Sequence, residues 1–109
     1  PLRVPYSVSK WGLIGLTQTL AAEAGIQGVT ANAVCPGPVD GERIRAIIRD
    51  RADRQARSIE DVTSDYVSLS AMKTMVTAED VAAMVAFLAG PGAARITGLA
   101  IDVSAGFRL

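Results

Sequence analysis

The chain of 109 residues contains no histidine and a single cysteine, Cys35. One thiol cannot close an intrachain disulfide, and it fits a reducing compartment. Without histidine or a cysteine cluster, no zinc site is expected. Charge of either sign is not in excess, because 11 Lys and Arg balance 11 Asp and Glu. That balance gives no electrostatic reason to expect DNA, RNA or an acidic membrane as partner. No apolar run approaches the roughly 18 residues of a membrane span, and residues 1–20 lack the layout of a secretory signal. These absences predict a soluble, cytoplasmic protein with no metal. Half of the residues are apolar, which suits a globular chain of at most one domain.

A dinucleotide cradle is missing as well. No strand-like run is followed by G-x-G-x-x-G or G-x-x-x-G-x-G, and Gly12 and Gly15 fall inside a helical pattern, where they cannot wrap a pyrophosphate. Arg43, Arg45, Arg49, Arg51, Arg54 and Arg57 form a basic cluster. Glu42, Asp50, Asp53, Glu60, Asp61 and Asp65 lie among or just after them, so the cluster reads as a solvated helical face rather than a nucleic-acid footprint.

What is present is a regular order of elements. Residues 7–24 predict a helix with Leu13, Leu16 and Leu20 on one side and Trp11 and Ile14 nearly opposite; apolar residues on two faces predict burial on two sides. Residues 29–35 form a short apolar stretch before Pro36-Gly37-Pro38, the pattern of a buried parallel strand. Ile44, Ile47 and Ile48 predict a helix over 42–51, and Val62, Tyr66 and Leu69 one over 59–72, with Tyr66 in the core. Thr77 and Asp80 make an imperfect capping box for a helix carrying Val81, Met84, Val85 and Leu88, which Gly90-Pro91 ends. Residues 99–103 predict a last strand.

Tyr6 and Lys10 are the chemically richest pair. Four residues apart on a helix, they share one face, about 40° apart around the axis. A phenol is a poor acid near neutral pH, and a cation one turn away favours its phenolate, so the pair outlines a general acid/base. A core-edge tyrosine beside a solvated lysine would look the same in sequence. The segment Cys35-Pro-Gly-Pro-Val-Asp-Gly41 follows a strand end, where open parallel sheets bind ligands, and its Pro and Gly residues fix a tight path. A plain strand-to-helix turn is the alternative. Cys35 has no partner to activate it and is read as a small hydrophobe.

In order along the chain, Tyr6-Ser-Val-Ser-Lys10, Gly15-Leu-Thr, Leu20-Ala-Ala-Glu23, Asn32-Ala-Val-Cys-Pro-Gly37, Thr77-Ala-Glu-Asp-Val-Ala, Phe87-Leu-Ala and Ile96-Thr-Gly98 resemble the C-terminal half of a short-chain dehydrogenase/reductase, of the 3-oxoacyl-(acyl carrier protein) reductase kind. The resemblance implies an α/β fold, the C-terminal portion of a Rossmann-like three-layer architecture with a parallel sheet. It implies an NAD- or NADP-dependent oxidoreductase that moves hydride between the nicotinamide and a small-molecule carbonyl or alcohol substrate. On that pattern Tyr6 is the general acid/base. Lys10 eases its ionisation and holds the nicotinamide ribose. Pro36 and Gly37 shape the loop, and the backbone at Val39 contacts the nicotinamide amide.

The same resemblance implies a homodimer or homotetramer, the first helix meeting a second subunit, and a substrate lid formed by the helices after the loop. In that family the glycine-rich turn and a catalytic serine precede the tyrosine. Residues 1–109 are therefore expected to be the C-terminal part of one such domain, without its phosphate-binding half and inactive alone. Two departures stand out: Gly41 where threonine is usual, and Val103-Ser-Ala-Gly106 where an acidic residue and paired glycines are usual. The second is expected to alter a turn and a subunit contact rather than chemistry. A reading from a different class makes the chain a non-catalytic oligomerisation module derived from that fold. On either reading, exposed strand edges and apolar helix faces predict self-association.

Overall fold

From Tyr6 to Ala24 no proline interrupts the chain, so a single long helix can form. In the computed structural model, which describes residues 4–107, this helix (α1) spans Val4–Ala24. It starts three residues earlier than its periodicity predicts, because Pro5 in a first turn has no intrahelical N–H bond to lose. A 3₁₀ turn, Gly25–Gln27, follows, and Gly28 closes it in the left-handed conformation at φ 77°.

The chain divides into two compact units, the first comprising Pro1–Val34 and Val85–Ile101. Within it the expected two-sided burial of α1 is not observed. Ala21 is the buried residue of the helix, 3.5 Å from where a Cβ on Gly98 would stand, while Val8, Trp11, Leu13, Leu16 and Leu20 are exposed. Small residues make that contact, so the large apolar side chains on both faces stay uncovered in this unit.

The strand predicted over 29–35 is shorter and shifted. β1 spans Ala33–Pro36 and pairs with β2, Ala100–Val103. Ala33 N–H donates to Leu99 O at 2.8 Å and Gly37 N–H to Val103 O at 3.0 Å. Both partners advance by four residues, which makes the pair parallel. Ahead of Ala33 one backbone bond persists, Gly98 N–H to Ala31 O at 2.7 Å, and side chains make the others. Asn32 Nδ2 donates to Ile96 O at 2.8 Å, its Oδ1 accepts from Leu99 N–H at 3.2 Å, and Thr97 Oγ1 accepts from Ala31 N–H at 3.0 Å.

The second unit comprises Cys35–Met84 and Asp102–Leu109. Its centre is a helical hairpin of α2, Glu42–Gln55, and α3, Ile59–Ser68. Ile48, Ala52 and Val62 form the buried cluster, with Ile44, Tyr66 and Met75 packed against it. Tyr66 thus belongs to the core, as its spacing predicts, whereas Ile47 is 43% exposed. α2 runs four residues beyond its predicted end and stops in a paired-carbonyl cap: Arg57 N–H donates to Ala52 O and Ala56 N–H to Asp53 O, with Ala56 at φ 50°. That conformation favours glycine, so no glycine marked this helix end in the sequence.

Ser58 begins α3 by accepting from Asp61 N–H at 3.0 Å. The helix stops at Ser68, short of the predicted 72, because Ser70 takes over. This buried hydroxyl donates to Thr74 O at 2.9 Å, lies 3.0 Å from Val67 O, and accepts from Thr74 N–H at 3.0 Å. Leu69, predicted on the apolar face, is instead 46% exposed. Ala71 and Met72 N–H groups donate to Gly106 O and Ala105 O. The departure at Val103-Ser-Ala-Gly106 is therefore a turn, with Ala105 at φ 52° and Gly106 at φ 70°.

α4 spans Ala78–Ala89, and its first turn shows the complete capping box. Asp80 Oδ2 accepts from Thr77 N–H at 2.8 Å while Thr77 Oγ1 accepts from Asp80 N–H at 3.1 Å. These bonds hold the Asp80 carboxyl below its ordinary value. Asp65 is likewise lowered, chiefly by its two-pronged hydrogen bond with Arg57, whose shorter arm is 2.6 Å. Carboxyls lowered on folding contribute stability above their unfolded value, near 3.8, and lose it as pH falls through the lower folded values. The urea midpoint is therefore expected to fall on acidification below about pH 4, and the double variant Asp65→Asn, Asp80→Asn to show a flatter acid limb. An unchanged limb would remove both groups from the account.

Candidate functional site

Helical geometry puts Tyr6 and Lys10 one turn apart on α1, and Lys10 Nζ stands 5.6 Å from the centre of the Tyr6 ring. Both are exposed, Tyr6 at 57%. No hydrogen bond engages the Tyr6 hydroxyl among the described residues; the Tyr6 carbonyl accepts from Ser9 Oγ at 2.8 Å, which steadies that turn. The arrangement leaves a phenol hydroxyl facing solvent with a cation beside its ring.

Pro36, Gly37 and Val39 lie in the other compact unit, on the path from β1 to α2. Gly37 is a close approach. A Cβ there would stand 2.8 Å from Ser104 Cα, 2.9 Å from Ser104 Cβ and 3.0 Å from Ser104 O. Val39 forms an isolated parallel bridge with Val76, in which Val76 N–H donates to Pro38 O at 3.1 Å and Asp40 N–H to Val76 O at 2.8 Å. In such a bridge the flanking residues make both bonds, so the N–H and C=O of Val39 itself point away from Val76. Neither has a partner among the described residues. A ligand amide has the complementary donor and acceptor for such a pair.

Beyond Val39 the chain forms a cavity of about 400 Å³ lined by residues of α2, α3 and the segment 74–77, among them Ile44, Ile48, Val67 and Met75. At its rim Arg45 makes a forked contact with Asp40, 3.1 and 3.2 Å. Helical spacing marked Ile44 and Ile48, but nothing in the sequence marked Met75 or Asp40 as their neighbours. Gly41 precedes α2 with fully extended backbone and supplies no side-chain cap, so the threonine contact usual in the resembled family has no counterpart here. Cys35 is half-buried in β1. Among the described residues no cluster of acids and cysteine gathers as a metal centre, and no helix is long and apolar enough to cross a membrane.

Comparison with known proteins places the chain in a family. Residues 1–108 match the family described as enoyl-(acyl carrier protein) reductase. The D-beta-hydroxybutyrate dehydrogenase of Rhizobium meliloti is 36% identical over 98% of the chain and 42% of its own length. Dehydrogenase/reductase SDR family member 6 of Aquarana catesbeiana is 37% identical over 98% of the chain and 42% of its own length. Among solved structures, a variant of the actinorhodin polyketide ketoreductase with NADPH superposes with a TM-score of 0.85 at 36% identity, covering 95% of this chain and 40% of that one. The chain thus spans about two fifths of the length of the relatives it matches. With its parallel strands and this match along nearly its whole length, the chain belongs to the short-chain dehydrogenase/reductase family, whose C-terminal segment it resembles in sequence and in fold.

Proposed function

We propose that the chain is the C-terminal part of one NAD(P)-dependent oxidoreductase domain acting on a carbonyl or alcohol, with the glycine-rich phosphate cradle contributed from outside these residues. The observation that carries this reading is the Tyr6–Lys10 pair on one face of α1, 5.6 Å from nitrogen to ring centre, in a chain of this family. Tyr6 donates a proton to the carbonyl oxygen during reduction, or accepts it from an alcohol in the reverse direction. Lys10 binds the ribose hydroxyls and keeps a positive charge beside the Tyr6 ring. The free N–H and C=O of Val39 suit the carboxamide of a nicotinamide, and Pro36 and Gly37 hold that backbone at the strand end. A bound nicotinamide cofactor supplies or accepts the hydride. NADPH in the related ketoreductase supports the cofactor class.

Exposed Val8, Trp11, Leu13 and Leu16 on α1 favour a homodimer or homotetramer, and the absence of a long apolar helix among the described residues is compatible with a cytoplasmic enzyme. The same exposed helix suits the second reading, an assembly module without activity. Deuterium transfer separates the two. The full-length protein bearing this chain, incubated with a ketone and NAD(P)H deuterated at the transferring carbon, is expected to yield an alcohol labelled at its carbinol carbon. Tight self-association with no label transfer to any ketone or aldehyde tested would reject the oxidoreductase reading and leave the assembly module.

A further inference from the structure

We propose that Ser70 is a positioning residue for the cofactor: through residues 74–76 it fixes the Val39 backbone that faces the nicotinamide carboxamide, an inference that rests on the oxidoreductase reading above. Ser70 is the one buried polar side chain among the described residues, at 2% exposure. Its hydroxyl accepts from Thr74 N–H at 3.0 Å and donates to Thr74 O at 2.9 Å, with Val67 O, 3.0 Å away, as the alternative acceptor. One side chain thus clamps both backbone groups of Thr74. Further along, Val76 N–H donates to Pro38 O and Val76 O accepts from Asp40 N–H, the two bonds that flank Val39. Only Met75 separates the clamp from the Val39 bridge.

A second arm reaches the same loop from the other direction. Ala71 and Met72 N–H groups donate to Gly106 O and Ala105 O, and the turn they engage begins at Ser104, against which Gly37 packs with no room for a Cβ. Val39 is therefore held from both sides by contacts within one compact unit, and Ser70 stands where the two arms meet. Between Ser70 and Thr74 the chain turns through Lys73, whose φ of 54° is unfavourable for a residue with a Cβ. Without the hydroxyl that turn is free to relax. Thr74 is exposed, so water replaces the lost partners at little cost in stability. The loss falls on alignment instead: a shift at Thr74 reaches Val76 and turns the N–H and C=O of Val39 away from a bound carboxamide, whose hydrogen bonds weaken with misalignment.

The test separates the nicotinamide from the rest of the cofactor. The full-length protein is titrated calorimetrically with NADH and NADPH, and with ADP-ribose and its 2′-phosphate, which lack the nicotinamide. Ser70→Ala is expected to weaken the preferred dinucleotide by about three- to tenfold, the loss of one aligned hydrogen bond, and to leave the matching ADP-ribose compound within about twofold. Hydrogen exchange at the Val76 and Asp40 amides should quicken by a similar factor. Ser70→Cys, which keeps the volume and lacks a strong donor, serves if the alanine variant does not fold. Val62→Ala controls for destabilisation alone, because Val62 is buried in the hairpin cluster and makes none of these bonds; it should lower the melting temperature and leave the ratio of the two affinities unchanged. Equal weakening of dinucleotide and ADP-ribose compound, or amide exchange no faster than Val62→Ala produces, would make Ser70 structural only and overturn the proposal. Preferential dinucleotide binding that survives Ser70→Ala overturns the Ser70 assignment alone. A parent protein that binds neither dinucleotide overturns the oxidoreductase reading, and this inference with it.

Discussion

Tyr6→Phe is expected to lower kcat/KM of the full-length protein by about 10²–10⁴-fold, the usual contribution of a positioned acid/base, while stability stays within about 0.5 kcal/mol of the parent. The split between the two readouts follows from the geometry. Tyr6 is 57% exposed and its hydroxyl holds no hydrogen bond among the described residues, so removing one oxygen breaks nothing in the fold. The phenyl ring that Lys10 approaches at 5.6 Å is kept. A structural tyrosine would give the opposite pattern, with activity falling only as far as the fraction folded. Steady-state kinetics beside a denaturant melt decides, and retained activity in a folded variant would remove Tyr6 from the chemistry.

Gly37→Ala carries the other large effect, on stability. The added carbon would meet Ser104 at three atoms between 2.8 and 3.0 Å, two of them backbone. No side-chain rotation relieves such a clash, and the Gly37 N–H bond to Val103 O, 3.0 Å, lies at the same spot. Relief requires the strand ends to part. Overpacking of this kind costs about 1–3 kcal/mol or more. Gly12→Ala is the fitting control, since a Cβ at Gly12 meets nothing within 4 Å and alanine gains roughly 0.5–1 kcal/mol inside a helix. Thermal melts of the two variants should move in opposite directions, and equal melting temperatures would show that the strand ends yield freely. If Gly37→Ala also weakens cofactor binding, the same contact positions the Val39 backbone.

Elements defined by local rules were legible in the sequence. The amphipathic spacing of Ile44 and Ile48 found α2, and Thr77 with Asp80 found the start of α4, where the imperfect capping box of the sequence makes both of its bonds. Tyr6 and Lys10 were legible because helical periodicity alone brings them to one face. Features built from distant residues were not. Asn32 reads as part of an apolar strand until Ile96 and Leu99 engage its amide. Gly37 reads as a turn residue until Ser104 presses against it. Ser70 ends α3 two residues after Ser68 through bonds to carbonyls and an N–H that no periodicity reports. Ala56 caps α2 in a conformation that glycine would have advertised and alanine hides.

The parallel pairing of β1 with β2 joins Ala33 to Leu99, 66 positions apart, while Arg57 and Asp65, which latch the α2–α3 hairpin, are only 8 apart. Closing the longer loop fixes far more chain before any contact is gained. The hairpin is therefore expected to form first and the sheet later. Until that step is complete the edges of both strands are open to other chains, so dilution during refolding is expected to limit strand exchange between molecules.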